Sequence, residues 1–287
     1  MNWLEFQHEA MATTFAITIA DQPPDYARQA AVNLWRELDR LENELSRFVE
    51  TSDISRANRL ASGATIAIGE DALQCLLLAA EISIATNRAF DCAYGSALSS
   101  QPSALSSQLA PPFTLDPAAH TLTAHCERLQ LDLGAIGKGY ALDRLAALLR
   151  DDWDISAACL QSGGSTALTL AAPSGQPGWP VGIGDEAATR TLSLVHSALS
   201  GSGIAVKGEH LVDPRTRSPA ARTRRAWALA QTAAVSDALS TAFFVMTDAE
   251  VAAFCVDHPE IGAALATPDK SLAAHGALAN ILRSPTP

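Results

Sequence analysis

Residues 131–143 read LDLGAIGKGYALD. The alternating segment LQLDL leads into a loop with glycines at 134, 137 and 139, and an amphipathic helix is predicted over 139–149. Glycine lets a backbone approach a ligand closely, and a helix start offers free N–H groups to a phosphate. The stretch lacks the spacing of a Walker A loop and of GxGxxG. It therefore predicts either a phosphate cradle with Lys138 as its cation or an ordinary glycine turn. Asp132 is either a ligand contact or a capping carboxylate.

The segments on both sides of this stretch predict a mixture of strands and helices. Alternation and β-branched residues predict strands at 14–20, 121–133, 157–170, 179–183 and 190–199. Apolar residues at helical spacing predict helices at 26–45, 71–86, 234–246 and 249–257. The order has no regular βαβ alternation, which favours an α+β fold with mixed or antiparallel sheets flanked by helices. We expect one domain over 1–287, or two intertwined subdomains, with a long loop near 96–112.

A second stretch, AVSDALSTAFFVM at 234–246, places oxygen ligands in an apolar helix. Asp237 and Thr241 are four residues apart and share one helix face, with Ser240 beside them. A carboxylate and a hydroxyl suit a hard cation such as Mg²⁺, with Mn²⁺ as the alternative. The other interpretation is that Ser236 or Asp237 caps the helix and that Thr241 bonds back to a carbonyl.

A third stretch, GEHLVDPRTRSP at 208–219, contains a histidine beside a turn. His210 titrates close to neutrality, so it is either a general base or a structural histidine. Arg215 follows the Asp-Pro turn and is available for an anion. A fourth stretch, QSGGS at 161–165, is a weaker sign of close backbone approach.

Composition narrows the class of protein. The 287 residues contain 20 Lys and Arg against 31 Asp and Glu, a formal net charge of −11, which argues against binding to nucleic acid or anionic lipid. Hydrophobic residues make up 48% of the chain, enough for a substantial core. No signal peptide, lipid-anchor motif or transmembrane segment is visible, so we expect a cytoplasmic protein.

These stretches, in this order, resemble the FAD:protein FMN transferase family, the ApbE-like flavin transferases. The resemblance covers residues 5–266 and includes further segments. They are Met11-Ala12-Thr13, the segment from Ser46-Arg47-Phe48 to Asn58, Phe90-Asp91-Cys92-Ala93-Tyr94-Gly95-Ser96, Gly163-Gly164-Ser165, His210 to Arg217, and Ser236-Asp237-Ala238-Leu239-Ser240-Thr241-Ala242. It implies an α+β architecture of the ApbE type, similar to a T-fold, with the flavin between two subdomains. It also implies Mg²⁺-dependent transfer of FMN from the substrate FAD to a Ser or Thr of an acceptor protein, releasing AMP.

The resemblance also implies roles for individual residues. Those with implied roles in cofactor binding are Met11, Phe48, Asp132, Lys138, His210 and Leu211. Those implied around the metal are Ala135, through its carbonyl, with Asp237, Ser240 and Thr241. His210 is the implied base for the acceptor hydroxyl, and Asp237 is also implied in catalysis. Because members of this family are commonly exported, a periplasmic location is the alternative.

This chain departs from the family pattern mainly at the cofactor wall. Ala12, Phe48, Cys92, Ser165 and Arg217 stand where other residues are usual. We therefore expect weaker FAD affinity than in relatives with complete motifs. Two alternative functions remain at this stage: an FAD pyrophosphatase that yields FMN and AMP, and a non-catalytic FAD-binding carrier or assembly protein.

Overall fold

The computed structural model describes residues 3–96, 111–184, 189–203, 212–220, 225–266 and 271–283. The described helices are α1 (Pro24–Leu45), α2 (Asp53–Ala57), α3 (Glu70–Ala85), α4 (Gly137–Asp151), α5 (Ala233–Val245), α6 (Asp248–Asp257) and α7 (Gly276–Arg283). The first described strands are β1 (Trp3–Ala10), β2 (Thr13–Ala20), β3 (Thr65–Ala67), β4 (Phe113–Asp116), β5 (Thr121–Ala124), β6 (Ala158–Ser162), β7 (Thr166–Thr169) and β8 (Trp179–Ile183). The later ones are β9 (Arg190–Leu194), β10 (Ser197–Gly203), β11 (Val212–Asp213), β12 (Ser218–Pro219), β13 (Arg225–Ala230), β14 (Gly262–Ala266) and β15 (Leu272–His275).

An eight-stranded antiparallel sheet forms the centre of the fold, in the order β1-β2-β6-β7-β10-β13-β14-β15. Strand β2 alternates as predicted, with Phe15, Ile17 and Ile19 buried on one face. Helices α1, α3, α4 and α5 belong to the core on that face. Helix α1 contributes an apolar stripe that includes Leu34 and Leu38. The predicted α+β class with antiparallel sheets is confirmed.

Different elements pack on the second face of the sheet. The β8–β9 hairpin and helix α7 pack there against a smaller cluster around Trp227 and Leu229. Strands β3, β5 and β4 form a separate three-stranded sheet. Among the described helices, none is long and apolar enough to cross a membrane. The division into one domain or two subdomains stays a prediction.

One predicted strand is wrong. The hairpin near residue 121 pairs β4 with β5, and residues 129–133, the LQLDL segment, form no strand. Their backbone is instead held by neighbouring loops and side chains. Asn58 brackets Leu131 by donating to its carbonyl and accepting from its N–H, and the N–H of Asp132 donates to the carbonyl of Cys92. Of the predicted loop near 96–112, residues 97–110 lie outside the described residues.

The starts of helices α4 and α5 pack closely against each other. An added Cβ at Gly139 would lie 2.8 Å from Cα of Ala234 and closer still to the carbonyl oxygen of Ala233. Glycine at this position therefore allows two backbones to meet, rather than a backbone and a ligand. This packing fixes the geometry of the candidate site.

Candidate functional site

Four of the residues implied in cofactor binding line one cavity. Met11, Phe48, Asp132 and Lys138 surround a space of about 300 Å³, which we call the wall cavity. This volume is at the lower end of those typical of small-molecule sites. Residues separated by more than a hundred positions in sequence are thus brought together as the resemblance implies.

The aromatic side of the wall cavity is open to solvent. Phe48 is 81% exposed, and the guanidinium carbon of Arg47 lies 4.6 Å from the centre of its ring. Met11 and Ala12 form the turn between β1 and β2, with φ angles of 50° and 58°. Both angles are in the left-handed region, as a two-residue hairpin turn requires. Glycine is favoured there, so Ala12 carries backbone strain.

Asp132 and Lys138 belong to one compact turn. The carboxylate of Asp132 accepts a hydrogen bond of 2.8 Å from the N–H of Gly134, and it lies 3.5 Å from Nε of Arg47. The ammonium group of Lys138 donates to the carbonyl of Gly134. Asp132 therefore caps the glycine loop and also faces the cavity, so both interpretations of this residue apply to its geometry.

A second space of about 210 Å³, the corner cavity, adjoins the wall cavity at Asp132 and Gly134. Ala135 and Thr241 line it, as does Cys92. Burial raises the pKa of the Cys92 thiol to about 12, so it stays protonated at neutral pH.

The carboxylate of Asp237 lies where the starts of helices α4 and α5 meet. It is 2% exposed, and its Oδ2 accepts from the N–H of Gly139 at 3.4 Å. Within the described ranges, the carbonyl of Ala135 receives no backbone hydrogen bond, whereas that of Ile136 accepts from Tyr140. An N–H in the first turn of α4 is thus directed at Asp237, and one carbonyl of the preceding turn is left available.

The two hydroxyl groups implied near the metal differ in position. Ser240 is fully buried, its hydroxyl lies 2.8 Å from that of Ser202 in the sheet, and it donates to the carbonyl of Asp237. Thr241 lies 3.3 Å from the same serine hydroxyl and lines the corner cavity. Both hydroxyls thus contact Ser202 and the carbonyl of Asp237, to which Thr241 donates at 3.5 Å, and Thr241 also borders the cavity. In the described part of the chain, no three His, Cys, Asp or Glu side chains form a metal-binding cluster.

Asp143 mirrors Asp237 across the two helices. Its two carboxylate oxygens each accept a 2.8 Å hydrogen bond, from the N–H groups of Ala233 and Ala234 at the start of α5. Each helix therefore supplies a carboxylate to the start of the other. Burial raises the pKa of Asp143 to about 6, although the two backbone hydrogen bonds oppose this.

The predicted base and its neighbour, His210 and Leu211, lie outside the described residues. The segment after them is anchored. Arg215 bonds Asp213 at 3.0 Å and Glu250 of helix α6 at 2.7 Å, so the prediction that its side chain is available for an anion is wrong. Burial raises the pKa of Asp213, but the hydrogen bonds from Arg215 outweigh this effect and leave the pKa below its ordinary value.

Sequence reasoning missed two side chains that line these cavities, and a third that joins helices α4 and α5. Arg47 and Tyr94 stand next to residues that the resemblance singled out, but no pattern marks them as cavity residues. Asp143 ends the glycine-rich stretch, yet nothing local to it shows that it caps α5. The QSGGS stretch lines a separate space of about 310 Å³ that shares no lining residue with the wall or corner cavity.

Comparisons with known proteins identify the family and the fold. A profile of the ApbE family matches residues 11–265. A solved structure of the flavin transferase ApbE from Vibrio cholerae has a TM-score of 0.83 at 19% identity, covering 98% of this chain and 99% of that one. The ApbE protein from Thermotoga maritima has a TM-score of 0.80 at 21% identity, covering 99% and 100%. The flavinyl transferase ApbE from Pseudomonas stutzeri, in its apo form, has a TM-score of 0.81 at 17% identity, covering 99% and 98%. A search of curated proteins finds no match.

Proposed function

Since this chain belongs to the ApbE family, we propose that it transfers FMN from FAD to a Ser or Thr hydroxyl of an acceptor protein and releases AMP. The observation that carries the proposal is the pair of adjoining cavities that meet at Asp132. One gathers the four described residues with implied cofactor roles, and the other is bordered by Ala135 and Thr241. Related structures described as flavin transferases share the fold, which supports the reaction class.

Three oxygen donors at the start of these helices fit Mg²⁺. They are the carbonyl of Ala135, which accepts no backbone hydrogen bond from the described residues, the buried carboxylate of Asp237 and the hydroxyl of Thr241. All three are hard ligands, and Ala135 and Thr241 line the corner cavity. The hydrogen bond to the buried carboxylate of Asp237 is long, and burying such a charge is destabilising unless a positive group nearby compensates it. Bound Mg²⁺ would neutralise charge on the pyrophosphate and on the leaving AMP.

The protein's own groups then have separate roles in the proposed reaction. The start of helix α4 and Lys138 attract the diphosphate, and Asp132 orders the loop that presents them. Phe48 stacks on the flavin or adenine ring. His210 takes the proton from the acceptor hydroxyl, and Leu211 contacts the cofactor, both by resemblance. Positioning and charge neutralisation supply most of the acceleration in phosphoryl transfer.

The open aromatic wall also supports a second candidate, FAD hydrolysis. Because Phe48 is 81% exposed, water reaches this side of the site when no acceptor covers it. Water in place of the acceptor hydroxyl would yield FMN and AMP. Hydrolysis is therefore expected as a slow side reaction of the same site.

The test is to mix the purified chain with FAD, Mg²⁺ and a flavin-acceptor domain, and to measure the acceptor's intact mass together with AMP. We expect a mass gain of one FMN and an equal amount of AMP. The same acceptor with its target Ser or Thr replaced by Ala is the matched control and should gain nothing. AMP without a mass gain would favour the pyrophosphatase, and neither product would favour the carrier.

A further inference from the structure

The second face of the central sheet contains a cavity whose lining residues have no role in the proposed transfer reaction. It holds about 310 Å³, is lined by parts of β7, β8, β10 and β13, and is called the second-face cavity below. Four residues of the QSGGS stretch at 161–165 also line it. It shares no lining residue with the wall cavity or the corner cavity. Its volume is enough for a small organic molecule.

Glycine provides the space in this cavity. Gly201 lies directly opposite Trp227 in the sheet, and an added Cβ there would be 2.9 Å from the indole nitrogen. The indole ring therefore packs against a position that only glycine can occupy. At Gly164, by contrast, an added Cβ would meet nothing within 4 Å. The cavity is thus closed by the Trp227 ring on one side and open beside Gly164 on another.

Two hydrogen-bond donors of the cavity lack an acceptor. Trp227 is 4% exposed, yet no residue in the described ranges accepts a hydrogen bond from its indole N–H. The backbone N–H of Gly164 also has no backbone partner there, although those of Gly163 and Ser165 are bonded. A buried donor without an acceptor is destabilising. A ligand that supplies acceptor oxygens would remove this cost at Trp227.

The charge of the lining favours an anion. Arg225 is the one charged side chain among the described residues that line the cavity. Its guanidinium carbon lies 5.1 Å from the centre of the Trp227 ring, and its Nη1 donates to the carbonyl of Gly184 at 3.1 Å. These contacts hold a positive charge close to the indole N–H. Hydrogen bonds to an ionised acceptor are stronger than those to a neutral one, so a carboxylate is favoured over an alcohol or an amide.

We propose that the second-face cavity binds a small carboxylic acid, whose carboxylate accepts from the indole N–H of Trp227 beside Arg225. The buried apolar side chains of Val181 and Leu199 also line the cavity, and they contact the apolar body of the ligand. Inorganic phosphate has no apolar part to place against them, which favours an organic acid. The inference goes beyond the proposed function, because the site is separate from both cavities of the transfer reaction.

The test uses sodium benzoate as the probe and benzyl alcohol as a neutral probe of similar shape. NMR of the ¹⁵N-labelled chain follows the indole N–H signals of its five tryptophans, and the signal missing from Trp227→Phe is that of Trp227. Equilibrium dialysis with the radiolabelled probes measures their affinities. Trp153→Phe is the matched control, since its indole N–H donates to Asn33 outside the cavity. Gly164→Leu, which adds a side chain at the open side of the cavity, replaces Trp227→Phe in the dialysis if the latter does not fold.

We expect benzoate to shift the Trp227 indole signal to saturation and to bind at least tenfold more tightly than benzyl alcohol. Trp227→Phe should lose at least fivefold in benzoate affinity, and Trp153→Phe should keep the wild-type affinity. An unmoved Trp227 signal, equal affinity for the two probes, or an unchanged benzoate affinity in Trp227→Phe would overturn the proposal. So would displacement of benzoate by FAD, which would assign the cavity to the cofactor.

Discussion

The corner where helices α4 and α5 begin and the aromatic wall around Phe48 are built differently. At the corner, Asp237 is buried and Asp143 is half-buried, and each carboxylate accepts hydrogen bonding from backbone N–H of the opposite helix. At the wall, Phe48 is 81% exposed and Met11 sits in a tight turn. The fold thus fixes the groups proposed for phosphate and metal in advance. The wall leaves most of the Phe48 ring open to solvent.

The largest effect should come from closing the space between the two helices. Gly139→Ala places a methyl group 2.8 Å from Cα of Ala234, and neither backbone can yield easily. We expect a loss of about 3 kcal/mol in the free energy of unfolding, measured by urea denaturation. Gly164→Ala is the control, because an added Cβ there meets nothing within 4 Å, and it should change stability by less than about 0.5 kcal/mol. Equal stability of the two variants would show that the helix starts are not tightly packed.

The next largest effect is a pH dependence of the free energy of unfolding, which arises from Asp143 at the corner. The pKa of Asp143 is about 6 in the folded chain against an ordinary value of 3.8, so the fold favours the protonated form. Its contribution to stability is full below about pH 4 and is lost as pH rises through about 6, a fall of about 3 kcal/mol. Asp143→Asn cannot ionise and should lack this fall in urea denaturation between pH 4 and 7. A wild-type stability that rises relative to the variant would contradict the raised pKa.

At the wall, affinity should change while stability does not. Phe48→Ala removes a stacking surface but little buried area, so unfolding should shift by less than about 0.5 kcal/mol. FAD affinity should fall about tenfold in a fluorescence titration, which corresponds to about 1.4 kcal/mol of lost stacking. Ile84→Ala is the control, since Ile84 is 78% exposed on α3 and lines neither the wall cavity nor the corner cavity. Unchanged FAD affinity in Phe48→Ala would show that Phe48 does not contact the cofactor.

The smallest effect concerns the turn that carries Met11. Ala12 has a φ of 58°, and glycine relieves this strain, so Ala12→Gly should raise the free energy of unfolding by about 0.5–1 kcal/mol. Ala16→Gly, in the middle of β2, should lower it by a similar amount. Thermal denaturation measures both. If Ala12→Gly also destabilises the chain, the turn does not store strain.

Local patterns were enough to predict the four long core helices and strand β2, but not strands β1, β14 and β15 or helix α7. The period of two in β2 and the apolar stripe of α1 reflect burial on one face, which sequence records directly. The resemblance implied cofactor roles for Met11, Phe48, Asp132 and Lys138, and the structure places these four residues around one cavity. What sequence could not show depends on contacts between distant segments.

Asp143 illustrates this limit, because its carboxylate caps a helix ninety residues further along the chain. Arg215 illustrates it as well, because its partner Glu250 lies on α6. The LQLDL segment alternates like a strand, yet loops and the side chain of Asn58 satisfy its backbone in place of a neighbouring strand. The hydrophobic pattern of a segment indicates which of its faces is buried, but it does not identify the distant segment that contacts that face.

The most direct test of the account is the rate of FMN transfer against Mg²⁺ concentration for the wild-type chain, Asp237→Asn and Asp143→Asn. Both variants remove a carboxylate that accepts from backbone N–H within the same helix pair, but only Asp237 is proposed as a metal ligand. We predict that Asp237→Asn loses at least a hundredfold in rate and requires far more Mg²⁺, while Asp143→Asn keeps the wild-type Mg²⁺ dependence at a pH where it is folded. Equal Mg²⁺ dependence in all three proteins would contradict the assignment of the corner as the metal site.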